Sequence, residues 1–361
     1  MRNGIVGMWL IALSMIAGCA APTTRPASVS AQAADAEAIK QSDLAAQDLV
    51  EKQKRVSRVS RLLATKAHSM CGEHVGPDTG IHALARLKGD IGEALVRNYG
   101  IREQLTILFV LEGSPAEAAG LKARDVIMKV NDVATAGVRG LSMIHQKLPA
   151  EAPIVYEVER GGTPLSITVQ PGRACRFPVI VVPSQAVNAL ADGKGILVTR
   201  GMVNFAADDR ELALVIAHEM AHNTMSHLEA KKQNASAGLV GDLAVLLLSR
   251  GQVSTRGAIS QAAASAYSQE FEAEADYVGL YIMANAGFPI DEAPLFWRRM
   301  AAAHPGSIKA NHAASHPSTA YRMIALENAA KEIDAKRAAG GPLRPNMKDG
   351  HVAPSTPASA Q

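Results

Sequence analysis

His218-Glu219-Met220-Ala221-His222 lies inside an apolar-periodic run, Glu211 to Leu228, that reads as a helix. Four residues turn an α-helix by about 400°, so His218 and His222 share a face, roughly 6 Å apart along the axis. Two imidazoles at that reach can grip one zinc ion, and Glu219 can approach the same metal from the side to take a proton from water. A pair of His at this spacing alone is weak evidence. The flanking Leu214, Val215, Ile216, Ala217, Met220 and Ala221 strengthen it, because an apolar helix that spends three polar residues on one patch needs a partner for them. Asp208 with Glu211 forms a capping box that starts the helix.

A tetrahedral zinc site needs a third protein ligand. Met225 and Leu228 stand where the metzincin pattern puts Gly and a third His, so the ligand is not there. His227 falls about 140° around a continuous helix from His222 and is expected to point elsewhere, as a solvated or structural His. The better candidate is in Tyr267–Asp276, the start of a second helix that runs to about Ala286 and stops at Gly287 and Pro289. Glu272 and Asp276 share a face there. One carboxylate could bind the metal while the other orients a ligand His through its second ring nitrogen. The competing reading is a solvated acidic face made of Glu270, Glu272, Glu274 and Asp276.

His-Glu-x-x-His paired with Glu-x-x-Ala-Asp resembles the zinc metallopeptidases that include HtpX-like proteases, CAAX prenyl proteases and their soluble periplasmic relatives. Asn188–Gly193, Ile196–Met202, Ala286-Gly287-Phe288 and His316-Pro317 with Arg322 resemble further stretches of that family, in the same order. The resemblance covers about residues 45–70 and 173–345. It implies His218, His222 and Glu272 as ligands of one Zn2+, Glu219 as base, Asp276 as the partner of a ligand His, and His316 and Arg322 lining the site as oxyanion partners. Asn188 and the Gly195 to Thr199 strand are then expected to meet substrate backbone. Gln269 departs from the Arg that the family commonly has.

The expected fold is α+β: a mainly helical metallopeptidase domain with a small sheet, residues 45–75 and 173–335, interrupted at 76–172. Within the interruption, Gly113–Leu121 and Asp125–Asp132 resemble a PDZ domain. The local patterns agree: Thr106 to Leu111 and Val126 to Val130 read as strands, and Gly161-Gly162 turns Ile154–Glu159 back into Leu165–Val169. Arg124 stands where such domains usually have Gly. A PDZ fold adds an extended chain end to a sheet edge, and Thr79-Gly80-Ile81, with Gly80 and Ile81 as contacts, is the expected pocket for a C-terminal peptide. The alternative is a PDZ that packs on the peptidase and binds nothing.

Arg2 and the apolar stretch Ile5 to Ile16 form a leader too short to span a bilayer. Ile16-Ala17-Gly18-Cys19 resembles a bacterial lipoprotein cleavage box, so residues 1–18 are read as a signal peptide, Cys19 as the lipidated residue and 19–44 as a flexible tether. An ordinary secretory signal is the alternative. Ala20 favours the outer membrane by analogy with Gram-negative sorting, placing the chain in the bacterial envelope facing the periplasm. Cys71 and Cys175 bracket the interruption, and export makes a disulfide between them the expectation over two free thiols. Residues 336–361, rich in Gly and Pro, read as a disordered tail.

The chain is 4% aromatic and alanine-rich, which suits helices packed through small residues. Its net charge of +3 with scattered basic residues leaves no nucleic-acid footprint. The function expected is a zinc-dependent endopeptidase acting on unfolded or misfolded envelope proteins, a substrate class drawn from the resemblance. The alternative is a periplasmic chaperone or scaffold with a latent or structural zinc site.

Overall fold

The computed structural model describes residues 23–24, 26–248, 256, 268–303 and 320–348. The leader at 1–18, Cys19, His316 and the last thirteen residues, 349–361, lie outside them.

Helix α1 spans Ala31–Lys66. The tether read at 19–44 is therefore helical from Ala31. The reason is local: residues 31–46 are rich in strong helix formers, and the Ser30 hydroxyl accepts from Ala33 N at 3.2 Å. Its buried positions, Ala46, Val50, Gln53, Val56, Val59, Leu63 and Ala64, form one stripe.

A neck follows. Strand β1 (Val75–Asp78) leads out to a β-rich domain, and β8 (Gly172–Cys175) returns antiparallel to it, with Val75 opposite Cys175. Between them lie β2 (Ile81–Leu84), α2 (Asp90–Tyr99), β3 (Thr106–Val110), α3 (Pro115–Ala118), β4 (Val126–Val130), β5 (Val133–Ala134), α4 (Ser142–His145), β6 (Ile154–Arg160) and β7 (Thr163–Val169). The sheet order is β2-β3-β4-β6-β7, with β5 paired to β4. Its core is apolar, built on Leu105, Ile107, Ile127, Ile154, Tyr156 and Val158. Arg124 adopts φ 72°, the left-handed conformation that glycine holds without strain. Cys71 and Cys175 are joined by a disulfide at the neck, with Cα atoms 5.6 Å apart. Arg61 of α1 pairs with Asp78 of β1 through two 2.9 Å contacts.

The helical domain continues with β9 (Val179–Val182), β10 (Ala189–Ala191), β11 (Ile196–Thr199), α5 (Arg200–Phe205), α6 (Asp209–Thr224), α7 (His227–Leu248), α8 (Ser268–Asn285), α9 (Ala293–Ala303) and α10 (Ala320–Ala338). Strand order is β10-β11-β9. Every residue of α6 from Leu212 to Thr224 is buried, as for a helix packed on all sides. Asp208 caps α6 by accepting from Glu211 N at 2.9 Å, while the Glu211 carboxylate reaches Ala207 N at 2.6 Å. Helix α8 crosses α6 closely at Gly279, where a Cβ would lie 3.2 Å from His218 N. The tail read as disordered is ordered to residue 348. After α10, Gly340 takes φ 67° and the chain turns back, where Asn285 donates to Leu343 O at 2.9 Å and Tyr277 accepts from Asn346 N at 2.8 Å. Those partners sit on α8, far away in sequence, so composition alone misses them.

Candidate metal centre

The close crossing at Gly279 brings Glu272 and Asp276 of α8 over His218 and His222 of α6. The two His Nε2 atoms are 3.1 Å apart. Glu272 faces both, with Oε2 3.3 Å from His218 Nε2 and Oε1 3.5 Å from His222 Nε2. These three residues are buried, and their ligand atoms lie within 4.8 Å of one another. Two imidazole nitrogens and one carboxylate, with a fourth position left over, is the donor set of a catalytic zinc site, and the residues fit that ion. Glu219 is 2% exposed and sits beside His218 on the same helix.

Asp276 holds His218 from behind, its Oδ1 3.0 Å from Nδ1. Arg322 of α10 clamps Asp276 bidentately, Nε to Oδ2 at 2.7 Å and Nη2 to Oδ1 at 2.8 Å, and its Nη1 is 3.5 Å from Glu272. Burial alone would lower the His218 pKa, but Asp276 and Glu272 outweigh it and raise it to about 9. Burial would raise Asp276, and Arg322 with His218 reverses that, holding the carboxyl below its usual value. Trp297 of α9 completes the wall, 5.3 Å from the His218 ring and 4.9 Å from the Arg322 guanidinium. Sequence reading passed over Trp297; the one available signal was its rarity, one of two Trp in the chain.

Three expectations need correction. Arg322 is fully buried and committed to carboxylates, so it positions the ligands and does not face an oxyanion. The strand from Gly195 to Thr199 is not open to substrate, because β11 lies between β9 and β10. Gly195 is itself engaged, its carbonyl accepting from Asn223 of α6 at 2.9 Å, and the Asn188 backbone is bonded to Thr199. On the far side, Gln53 bonds the Val179 carbonyl and the Val181 amide of β9, which leaves the outer edge of β10 as the edge of this sheet without a strand partner among the described residues. Third, His227 does not point away. Helix α6 ends at Thr224, Ser226 takes φ 54°, and His227 opens α7 with Nδ1 2.8 Å from His222 Nδ1. Its Nε2 is 2.8 Å from Glu274 Oε2, so Glu274 is not merely part of a solvated face.

Gly80 and Ile81 sit apart from the metal centre. They line a cavity of about 440 Å³ with Gln53 and Arg61 of α1, His145 of α4 and Val179 of β9. Gly80 has φ 72°, and a Cβ there would meet Ser114 at 2.2 Å, so only glycine fits. His82 stacks on Phe109 at 4.9 Å, and His145 Nε2 is 2.7 Å from the Tyr156 hydroxyl. Desolvation pushes both imidazoles down to about 4.

The helical domain thus joins a His-Glu-x-x-His helix to a third buried donor, Glu272, from a second helix. Residues 168–330 match the model of Peptidase family M48. The chain is 33% identical over 172 residues to mitochondrial metalloendopeptidase OMA1 of Schizosaccharomyces pombe, covering 44% of this chain and 48% of the relative. It is 30% identical over 156 residues to OMA1 of Arabidopsis thaliana, covering 42% and 31%. It is 25% identical over 170 residues to the beta-barrel assembly-enhancing protease of Escherichia coli O157:H7, covering 44% and 35%. The chain thus spans about half or less of the length of these relatives. No described helix is long and apolar enough to cross a membrane.

Proposed function

We propose that the chain is a zinc metalloendopeptidase that cleaves unfolded segments of cell-envelope proteins. The buried His218–His222–Glu272 triad with Glu219 beside it carries this reading, supported by the M48 match over residues 168–330. Zinc, held by these three side chains, supplies the Lewis acidity that acidifies a water and polarises a peptide carbonyl. Glu219 takes the water's proton on its carboxylate and passes it to the leaving amine. Asp276, clamped by Arg322, keeps His218 Nε2 turned toward the metal. An extended client adds to the outer edge of β10, where backbone pairing demands an unfolded chain. His316, outside the described residues, is the remaining candidate for an oxyanion partner.

The β-rich domain is read as a PDZ that receives a C-terminal peptide at Gly80 and Ile81 and so selects or gates clients. Lipidation at Cys19 would anchor the chain to the envelope, with the outer membrane facing the periplasm as the location this reading favours. The name of the Escherichia coli relative, a beta-barrel assembly-enhancing protease, fits that setting.

The test is hydrolysis of an unfolded protein by the zinc-loaded chain beside its Glu219→Gln variant. Cleavage is expected from the first, with a loss of about 10²–10⁴-fold in the second. Equal cleavage by both refutes the site. Zinc bound near one per chain with no cleavage by either replaces the peptidase by a holding role.

A further inference from the structure

The two His ligands are held differently. His218 has a buried carboxylate directly on its Nδ1, whereas His222 has a second imidazole there, and the carboxylate comes one ring later. From this we propose that His227 and Glu274 form a positioning relay for the metal ligand His222. The proposal rests on the reading that the triad binds zinc.

The hydrogen bonds fix the protons. A His that coordinates through Nε2 carries its proton on Nδ1. His222 Nδ1 therefore donates across 2.8 Å to His227 Nδ1, which must accept. The His227 proton is then on Nε2, where it donates across 2.8 Å to the Glu274 Oε2 oxygen, which accepts. The carboxylate at one end thus sets the tautomer of both rings and puts the His222 Nε2 lone pair on the side of Glu272, where these residues would hold the metal. His227 is 2% exposed, and its ring stacks on Phe271 at 4.8 Å with an interplanar angle of 29°, which fixes the ring plane.

Geometry explains the extra ring. Glu274 is two residues from Glu272 and so about 200° around α8, away from the face that carries Glu272 and Asp276. It cannot replace Asp276-type contact with His222 by itself. The left-handed Ser226 folds the chain back after α6 and sets His227 between them. Both His227 nitrogens serve the relay, which is why this His is a neighbour of the site and not a fourth ligand.

The test uses the full chain, with zinc affinity measured by competition against a chromogenic chelator and ligand geometry read from the visible spectrum of the Co2+-substituted protein. His227→Phe keeps the ring stack but removes the acceptor; zinc affinity should fall by about 10–100-fold and the Co2+ bands should shift. His227→Gln can accept from His222 and donate to Glu274, and should return affinity to within a few-fold of wild type with the original spectrum. Glu274→Ala should weaken zinc binding by a smaller factor, since its side chain is 41% exposed. Wild-type affinity and spectrum in His227→Phe would overturn the relay. If that variant does not fold, Glu274→Ala decides: several-fold weaker binding supports the relay and unchanged binding overturns it. A wild-type chain that takes up no zinc would instead sink the metal-site reading itself.

Discussion

In the helical domain His218 lies between Asp276 and Glu272 and its pKa stands at about 9, whereas in the β-rich domain His82 and His145 stand at about 4. Desolvation pushes all three downward. What separates them is the neighbour: two carboxylates in the first case, a phenyl ring and a phenol in the others. The β-rich domain holds its imidazoles neutral, because no carboxylate there offsets the desolvation. The helical domain keeps Arg322, Asp276, Glu272 and His218 buried together. Such a network is a poor source of stability compared with apolar packing, so its presence points to a task other than stability.

That contrast can be broken or sharpened in three ways. The largest effect is expected at the neck that joins the two regions. Opening the Cys71–Cys175 bond, which closes a separation of 104 residues, should cost about 4–5 kcal/mol in the chain-entropy model. Denaturation of the whole chain with and without reductant measures it, alongside intact mass showing no free thiol at Cys71 or Cys175 in untreated protein. An unchanged midpoint would mean that β1 and β8 hold the neck without the crosslink.

Asp276→Ala comes next. It strands the buried Arg322 and should destabilise the helical domain by about 3–5 kcal/mol. Adding Arg322→Leu should recover part of that loss, because the uncompensated charge is gone. Denaturant melts of the single and double variants check both points. A single variant as stable as wild type would show the network to be less dry than its burial implies.

The smallest effect is acid sensitivity of the β-rich domain. A folded-state pKa of about 4 lies below the unfolded value of about 6.5, so the unfolded chain binds more protons between them. Stability is therefore full above about pH 6.5 and falls as pH drops toward 4. The loss is at most about 3 kcal/mol for each His, and less because both residues are only partly buried. His82→Phe, which keeps the stack on Phe109, should flatten this slope. Imidazole titrations by NMR with midpoints near 6.5 would erase the contrast.

The ligand pairs were legible because both are one-helix patterns. His218 with His222, and Glu272 with Asp276, owe their shared faces to helical periodicity, which backbone hydrogen bonds set within a few residues. The Asp208 cap, the Gly287 stop and the strands from Thr106, Val126 and Ile154 were readable for the same reason. Periodicity misled where its premise ended. His227 was placed by extending α6 through Met225 and Ser226, yet the helix stops at Thr224 and the left-handed Ser226 turns the ring back onto His222. The Gly195 strand was a strand, but its place between β9 and β10 depends on segments that precede it in the chain. Arg322 belonged near the site, but only α10 packing shows that it clamps Asp276. By itself, the sequence determined which residue types could hold a metal and which faces they occupy, because those follow from local backbone geometry. Tertiary structure alone decided who partners whom across α6, α7, α8 and α10, because those contacts come from long-range packing that no local repeat encodes.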